Sequence, residues 1–354
     1  MNNYPEAKAS QKQLISCSVV GARGYSGLET ARLLLQHPQV QLKSCFATAA
    51  FTLADELSNP KAKLVKCLSI TEIMDHLTDV VFLATPAEVS MELAPKILAQ
   101  GKKVIDLSGA FRLKKNDYRK WYGFEHTDES WLKKAQYGLT AWAGPAKGEV
   151  LIANPGCYAT AITLALIPLL KNDLVVENSI VIDAKSGATG AGKKAVENLM
   201  FNEVEGECLP YKVGRHQHYP EILEAVELFA GKKIEAHLTT SLLPIRRGII
   251  AGIYAQVKKG VVLEDIENAY GSAYDEKVLI RHGRLRNEPG LVLLKKVVGT
   301  AKTQISYELD SSRLYVFSCL DNLLKGAASQ ALENLNRLFD LPVETGLNQL
   351  EGLT

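Results

Sequence analysis

The sequence predicts an α/β protein: a Rossmann-type parallel sheet domain joined to an α+β domain with a mixed sheet. Three observations predict it. Apolar strands and helices alternate from Leu14 to Leu107. A glycine-rich turn sits at the first strand-to-helix junction. Past about Ile180, strands outnumber helices. Alternation with apolar strands is the pattern of a parallel sheet covered by helices. Runs of strands favour a mixed or antiparallel sheet.

Leu14 to Val20 is a β-rich run, Leu28 to Gln36 is helical, and Val40 to Phe46 is a strand again. Asp79 to Ala84 is an apolar strand, Ala87 to Gln100 a helix, and Lys103 to Leu107 the next strand. The pattern breaks after Ser108. Arg112 to Tyr137 is rich in aromatic and charged residues and reads as an insertion over the sheet edge. Val150 to Ala153 is one more apolar strand. It ends at Asn154-Pro155-Gly156, and a helix starts at about Cys157.

Ile180 to Ala184 reads as a strand and Glu221 to Phe229 as a helix. Strands follow at Ala236 to Leu243, Gly248 to Val257, Gly290 to Val298, Thr303 to Leu309 and Arg313 to Leu320. The final helix, from about Asn322 to Leu338, gathers Leu323, Leu324, Ala327, Ala331, Leu335 and Leu338 near one face. Such a face suits a return onto the first domain.

At 354 residues the chain suits two domains. With 47% hydrophobic and 23% charged residues it has the balance of an ordinary globular protein. A net charge of +2 gives no electrostatic case for nucleic acid or an anionic membrane surface. The longest apolar run, Ala159 to Leu170, contains Pro168 and falls short of the ~20 residues of a membrane helix. The polar opening MNNYPEAKASQKQ reads as a short disordered leader, not a signal peptide. Cys17, Cys45, Cys67, Cys157, Cys208 and Cys319 are scattered, without CxxC or zinc spacing. They read as reduced thiols of a cytoplasmic protein.

Gly21, Gly24 and Gly27 follow the first strand and open the first helix, with Arg23, Tyr25 and Ser26 between them. A turn without Cβ atoms lets backbone amides approach a pyrophosphate, and the helix N-terminus favours negative charge. The spacing is GxxGxxG, not the commoner GxGxxG. An acid closing the second strand would bind the ribose hydroxyls of NAD. Here that strand closes on Ala47-Thr48-Ala49, with no acid before Asp55. The cofactor reading therefore tilts to NADP, with Arg23 either meeting a 2′-phosphate or standing as a solvated surface cation.

Cys157 follows Pro155-Gly156 at the start of a helix, where the dipole lowers a thiol pKa. The turn would expose the sulfur as a nucleophile. Cys17, Cys45, Cys67 and Cys319 read as packing residues. His216 and His218 occupy alternate positions, so in an extended segment both rings point one way. Pro220 fits the first turn of the helix that follows. One ring beside Cys157 as acid/base is more economical than a metal site, for which no third ligand is suggested nearby. Nucleotide, thiol and imidazole together point to hydride transfer at a thioester or thiohemiacetal.

The chain resembles the N-acetyl-gamma-glutamyl-phosphate reductase family, relatives of aspartate-semialdehyde dehydrogenase. The matching segments run in order along nearly the whole chain. They are Gly21 to Gly27, Asp106 to Leu113, Tyr137-Gly138-Leu139, Ala153 to Tyr158, Ser186 to Gly192, His216 to Glu221, Pro244 to Gly248 and Asp321 to Ala328. The resemblance implies NADP-dependent reduction of an acyl phosphate to a semialdehyde in arginine biosynthesis. It implies a dinucleotide-binding domain of residues 1–156 plus 320–354, and a catalytic and oligomerisation domain of residues 157–319, in a homodimer or homotetramer. Cys157 would form the thioester. His218 would be the acid/base, with His216 the other candidate. Glu221 would orient a substrate-binding arginine. Arg112 is assigned to phosphate and Arg247 to the substrate carboxylate, both being cation forks suited to anions; Asn154 joins them in the substrate set. Ser186, Gly187 and Asn322 would lie near the nicotinamide.

Two departures stand. The family often has Ser-Arg after the second strand, where this chain has Ala47-Thr48. The family often follows Tyr-Gly-Leu with Pro-Glu, where Thr140-Ala141 stands here. Two other readings fit the residues. One is the same chemistry on an aspartyl phosphate or a carrier-bound aminoadipyl phosphate. The other is a non-catalytic nucleotide-binding regulatory protein.

Overall fold

The computed structural model describes residues 14–286 and 292–348, so the polar opening segment lies outside the described residues. Two seven-stranded sheets carry the architecture. The first holds β1 (Ile15–Val20), β2 (Val40–Ala47), β3 (Lys66–Ser69), β4 (Val80–Leu83), β5 (Lys103–Asp106), β6 (Gln136–Tyr137) and β7 (Leu151–Ala153). Their order is β3-β2-β1-β4-β5-β7-β6, and all pairs are parallel. The strand order reverses at β1 and β4. In such sheets ligands bind at that switch point, beyond the carboxyl ends of the strands. The glycine turn leaves β1 there.

The second sheet is mixed. It holds β8 (Ile180–Gly187), β9 (Leu209–Pro210), β10 (Ala236–Leu243), β11 (Ile249–Gln256), β12 (Ile280–Arg284), β13 (Thr303–Asp310) and β14 (Arg313–Leu320). β8 with β10 and β12 with β13 run parallel, and the remaining pairs are antiparallel.

Helix α1 (Tyr25–Gln36) follows the glycine turn, and α2 (Ala87–Ala99) crosses from β4 to β5. α3 (Cys157–Lys171) is apolar on every side and buried from Tyr158 to Leu170, as expected of a helix enclosed in a core. α4 (His218–Ala230) and α5 (Leu263–Tyr274) join it in the second domain's core. The last helix, α6 (Ser329–Leu338), goes elsewhere. Its Ala331, Leu332, Leu335 and Leu338 share one core with Val19, Ala31, Leu34 and Phe82 of the first sheet's layers.

Several elements differ from the sequence reading. The final helix is not α-helical from Asn322, because Leu324–Ala328 forms a π turn ahead of α6. The run Gly290 to Val298 is not a strand where it is described. Leu294–Lys296 is a 3-10 turn, and residues 290 and 291 lie outside the described residues. A short apolar run cannot by periodicity declare its own structure. The parallel neighbour of β13 is instead β12, a polar stretch at the sheet edge, where one flank faces solvent. The Arg112 to Tyr137 segment folds as short helical turns and then supplies β6, the edge strand.

Candidate active site

The glycine turn is sterically compulsory. Gly21 has φ +83°, and a Cβ there would lie 2.3 Å from the Ala84 carbonyl oxygen. A Cβ on Gly27 would lie 2.3 Å from the Gly21 carbonyl oxygen, so α1 begins in contact with the turn. Gly24 is the N-cap of α1 and no side chain caps it, leaving first-turn amides at Tyr25 and Ser26 for an anion. Arg23 is exposed beside them. Its carbonyl accepts from Lys193 Nζ at 3.2 Å, so the second domain reaches the turn. Tyr25, Thr189, Lys193 and Arg246 line one cavity of about 760 Å³. Gly21 and Gly27 let the turn pack tightly on Ala84 and on itself, and the uncapped first-turn amides of α1 suit an anion such as a pyrophosphate.

Beyond β7, Asn154-Pro155-Gly156 turns the chain into α3, with Gly156 as N-cap and Cys157 as the first helical residue. The sequence-predicted elbow is present. Its electrostatics differ from expectation. Burial pushes the Cys157 thiol up to about 11, and the helix-start amides and Arg112 pull it down by less. Desolvation of a thiolate outweighs the dipole here.

The histidine pair is not extended. Gln217 is in the right-handed helical region, and His218 opens α4. The two rings still meet, with centroids 4.8 Å apart. His216 Nδ1 accepts the His218 backbone N–H at 3.2 Å, and its Nε2 faces the Tyr211 hydroxyl at 3.3 Å. Both nitrogens of His216 are therefore engaged. His218 Nδ1 has no partner. Its Nε2 lies 2.4 Å from where a Cβ on Gly156 would sit, so this ring presses on the elbow itself. Burial, then the neighbouring His218, lowers His216 to about 2. Burial, then Arg112, holds His218 well below the usual imidazole range. Both rings are neutral, and a neutral ring can accept a proton.

Glu221, one turn into α4, ties the site together. Its Oε1 accepts the Gly156 N–H at 2.7 Å and the Tyr137 hydroxyl at 2.8 Å. Its Oε2 meets Arg112 Nη1 at 3.3 Å. Arg112 Nη2 donates to the Leu107 carbonyl at 2.7 Å, while Nε is buried without a partner. Glu221 does orient an arginine in this structure, and it orients the elbow as well. Tyr137 is a further site residue, and the sequence marks it only through the Tyr137-Gly138-Leu139 segment.

Asn154 sits inside the turn. It is fully buried, its Nδ2 donates to the Ala327 carbonyl at 3.2 Å, and its Oδ1 accepts from Asn334 at 3.0 Å. With both amide ends paired inside the protein, it shapes the turn. Arg247 lies near the carboxyl ends of β8 and β14, with Nη1 2.8 Å from Glu29 and Nη2 3.0 Å from Asp321. Gly187 packs so closely on the Arg246–Arg247 peptide that a Cβ would lie 2.7 Å from Arg247 N. Ser186, at the end of β8, is buried and donates to the Gly187 carbonyl. Asn322 accepts from Gly248 N–H at 2.8 Å and donates to Thr189 Oγ1 at 3.0 Å. Ser186, Gly187 and Asn322 are thus brought together, beside the segment that reaches the glycine turn.

A glycine-turn nucleotide domain, joined to a mixed-sheet domain that opens on an elbow cysteine, is the layout of the semialdehyde dehydrogenases. Residues 16–149 match the family model described as semialdehyde dehydrogenase, NAD binding domain, and residues 157–322 the one described as semialdehyde dehydrogenase, dimerisation domain. A solved structure of aspartate semialdehyde dehydrogenase II from Vibrio cholerae superposes with a TM-score of 0.69 at 16% identity, covering 93% of this chain and 99% of that one. Curated N-acetyl-gamma-glutamyl-phosphate reductases are much nearer in sequence. The Streptococcus gordonii protein is 40% identical over 93% of this chain and 97% of its own length. The Brevibacillus brevis protein is 38% identical over 94% and 98%. The chain belongs to the N-acetyl-gamma-glutamyl-phosphate reductase family. Membership carries a nicotinamide cofactor and oligomerisation through the second domain. No helix among the described residues is long and apolar enough to cross a membrane.

Proposed function

We propose that this chain reduces N-acetyl-gamma-glutamyl phosphate to N-acetylglutamate 5-semialdehyde and phosphate, with NADPH as reductant and Cys157 as nucleophile. One observation carries the reading. The elbow cysteine follows a glycine on which the neutral His218 imidazole rests directly.

His218 takes the thiol proton as Cys157 Sγ attacks the acyl carbon. The phosphate leaves, taking up a proton from solvent as hydrogen phosphate, and a thioester remains on Cys157. NADPH, when bound, supplies the hydride. His218 returns the proton as that thioester becomes a thiohemiacetal, and collapse releases the aldehyde and the cysteine. The thiol is protonated in the free protein, so the first step needs a base, and His218 is the imidazole that rests on the elbow. Arg112 faces the phosphate side of the elbow, held there by Glu221. Glu29 occupies the outer face of Arg247, so a substrate carboxylate at Arg247 displaces it.

Gly21, Gly24, Gly27 and the amides of Tyr25 and Ser26 hold the pyrophosphate, and Arg23 meets the 2′-phosphate of NADP. Ser186, Gly187 and Asn322 flank the nicotinamide. The nucleotide domain comprises residues 1–156 plus 320–354 and the catalytic domain residues 157–319, in a cytoplasmic homodimer or homotetramer. The shared core of α6 and the first sheet supports the split nucleotide domain.

The test is the reverse assay. N-acetylglutamate semialdehyde, phosphate and NADP are mixed with the protein, and absorbance of the reduced nicotinamide is followed. Aspartate semialdehyde and NAD serve as parallel arms. Turnover confined to aspartate semialdehyde, or to NAD, would replace the corresponding part of the reading.

A further inference from the structure

The residues that press on Cys157 from behind belong to the far end of the chain. A Cβ on Gly326 would lie 2.7 Å from Cys157 Cβ and 3.1 Å from its Cα. Gly326 is the centre of the π turn Leu324–Ala328, and its N–H donates to the Asp321 carbonyl five residues back at 2.9 Å. Ala328 N–H likewise reaches the Leu323 carbonyl at 3.0 Å. Single π turns are rare, and they gather at functional sites.

Two anchors hold this one open. At its start, the Asp321 carboxylate accepts N–H groups from Leu323, Leu324 and Gly299 and pairs with Arg247. From within it, Lys325 Nζ reaches 2.8 Å and 2.7 Å from the two oxygens of Glu333 in α6, both side chains being almost wholly buried. The pair spans eight positions. Eight residues of α-helix turn by about 800°, leaving the two side chains about 80° out of line. The π turn widens the coil over Leu324–Ala328, a stretch that includes Lys325, and so takes up part of that mismatch. The ion pair is therefore made on the bulged form.

The pair also belongs to a closed ring of bonds. Glu333 Oε2 accepts from Thr140 at 2.6 Å. Gln330 donates to Thr140 Oγ1 and to the Gly138 carbonyl, and Asn334 donates to Gly138 and to Asn154 Oδ1. Asn154 then returns to the Ala327 carbonyl in the π turn. The ring joins the π turn, α6, the segment after Tyr137 and the turn preceding Cys157. A buried ion pair is a weak source of stability, since apolar residues of similar size often serve as well. Its geometry is what apolar residues cannot reproduce.

We propose that Lys325 and Glu333 are positioning residues for the nucleophile: their buried bond fixes the π turn so that Gly326 seats Cys157 at the elbow. This rests on the reading that Cys157 is the nucleophile. A misplacement of about 1 Å at a reacting atom costs on the order of 100-fold in rate, so a shallow shift of the π turn suffices.

The decisive variant is the double replacement Lys325→Met with Glu333→Leu in the full chain, which keeps the volume and removes the geometric lock. The readouts are kcat against KM, the cofactor dissociation constant, the pH profile of Cys157 alkylation by iodoacetamide, and the melting temperature. The expected result is a melting temperature within a few degrees of the parent and unchanged cofactor affinity. With them come a kcat at least about 10-fold lower and a displaced alkylation profile. A folded double variant with parental kcat and alkylation would overturn the proposal. Should it not fold, Lys325→Met with Glu333→Gln decides, since glutamine keeps an oxygen for the Thr140 hydroxyl and no charge is left buried. The same loss of kcat supports the proposal and a parental kcat defeats it. Cys157→Ser separates the two levels: an active serine variant removes the nucleophile reading, while an inactive one beside a parental double variant removes the positioning role alone.

Discussion

Gly156 donates its backbone N–H to Glu221 Oε1 across 2.7 Å, binding the turn before the cysteine to the helix that opens with His218. The same carboxylate holds Tyr137 and Arg112. One buried anion thus fixes three parts of the candidate site, which arrive from β6, from the loop after β5 and from β7.

Removing that charge should be costly. Glu221→Gln leaves the Arg112 guanidinium buried without a counter-charge, a change worth about 3–5 kcal/mol in other buried pairs. Tyr137→Phe removes only one donor and should cost about 1–2 kcal/mol. Urea unfolding of both variants measures the difference. Equal, small losses would mean that the Arg112–Glu221 pair contributes little.

The thiol makes a second test. Burial pushes Cys157 up to about 11, so the free protein should react slowly with iodoacetamide near neutral pH, with a rate that climbs past pH 9. The helix start alone argues the reverse, a thiol pKa lowered by the dipole. Peptide mass analysis of the Cys157 adduct against pH decides. A midpoint near neutrality would show that the dipole, not desolvation, governs this sulfur.

How much was legible follows from what each signal depends on. The glycine turn, the elbow and the histidine pair are local features. Turn residues and spacing report them; the glycine turn and the elbow form where those residues stand, while the histidine pair enters a helix instead of an extended segment and its rings still meet. The apolar strands of the first sheet were legible because both faces are buried, so the signal is composition itself. α5 was missed although Ile266, Ala269, Tyr270 and Tyr274 form its buried side, since Gly271 interrupts the pattern. The Arg247–Glu29 and Glu221–Arg112 pairs were beyond reach in another sense. Their members lie 218 and 109 positions apart, and no spacing rule connects them. The resemblance brought Glu221 into view, but not its grip on Gly156.

Gly21 offers a test of the cofactor cradle. Its φ of +83° and the 2.3 Å approach of the Ala84 oxygen leave no room for a side chain. Gly21→Ala must move the turn away from β4, which separates the amides that would face a pyrophosphate. The expected outcome is at least a 10-fold loss of NADPH affinity by fluorescence titration, about 1.4 kcal/mol, together with lower stability. Parental affinity in this variant would place the dinucleotide elsewhere.

The final test concerns acid. Burial lowers His37, His126, His216 and His218, with His216 brought down to about 2. In the unfolded chain each titrates near 6.5. Below that pH the unfolded state binds protons that the folded state refuses, so stability is full above about 6.5 and falls as the pH drops. Each such ring contributes about 1.4 kcal/mol per pH unit to the slope. His216→Phe fits among the rings of Tyr158, Tyr211 and His218, and it cannot take a proton. It also leaves the His218 N–H without its acceptor, which should cost about 1–3 kcal/mol at neutral pH. The variant should therefore start less stable at pH 7 yet lose stability more gently between pH 6 and 5, by about one ring's share of the slope. Urea midpoints at pH 7, 6 and 5 supply both numbers. Parallel curves for parent and variant would mean that His216 is protonated in the folded protein, and that its bond to His218 N–H is not the one described.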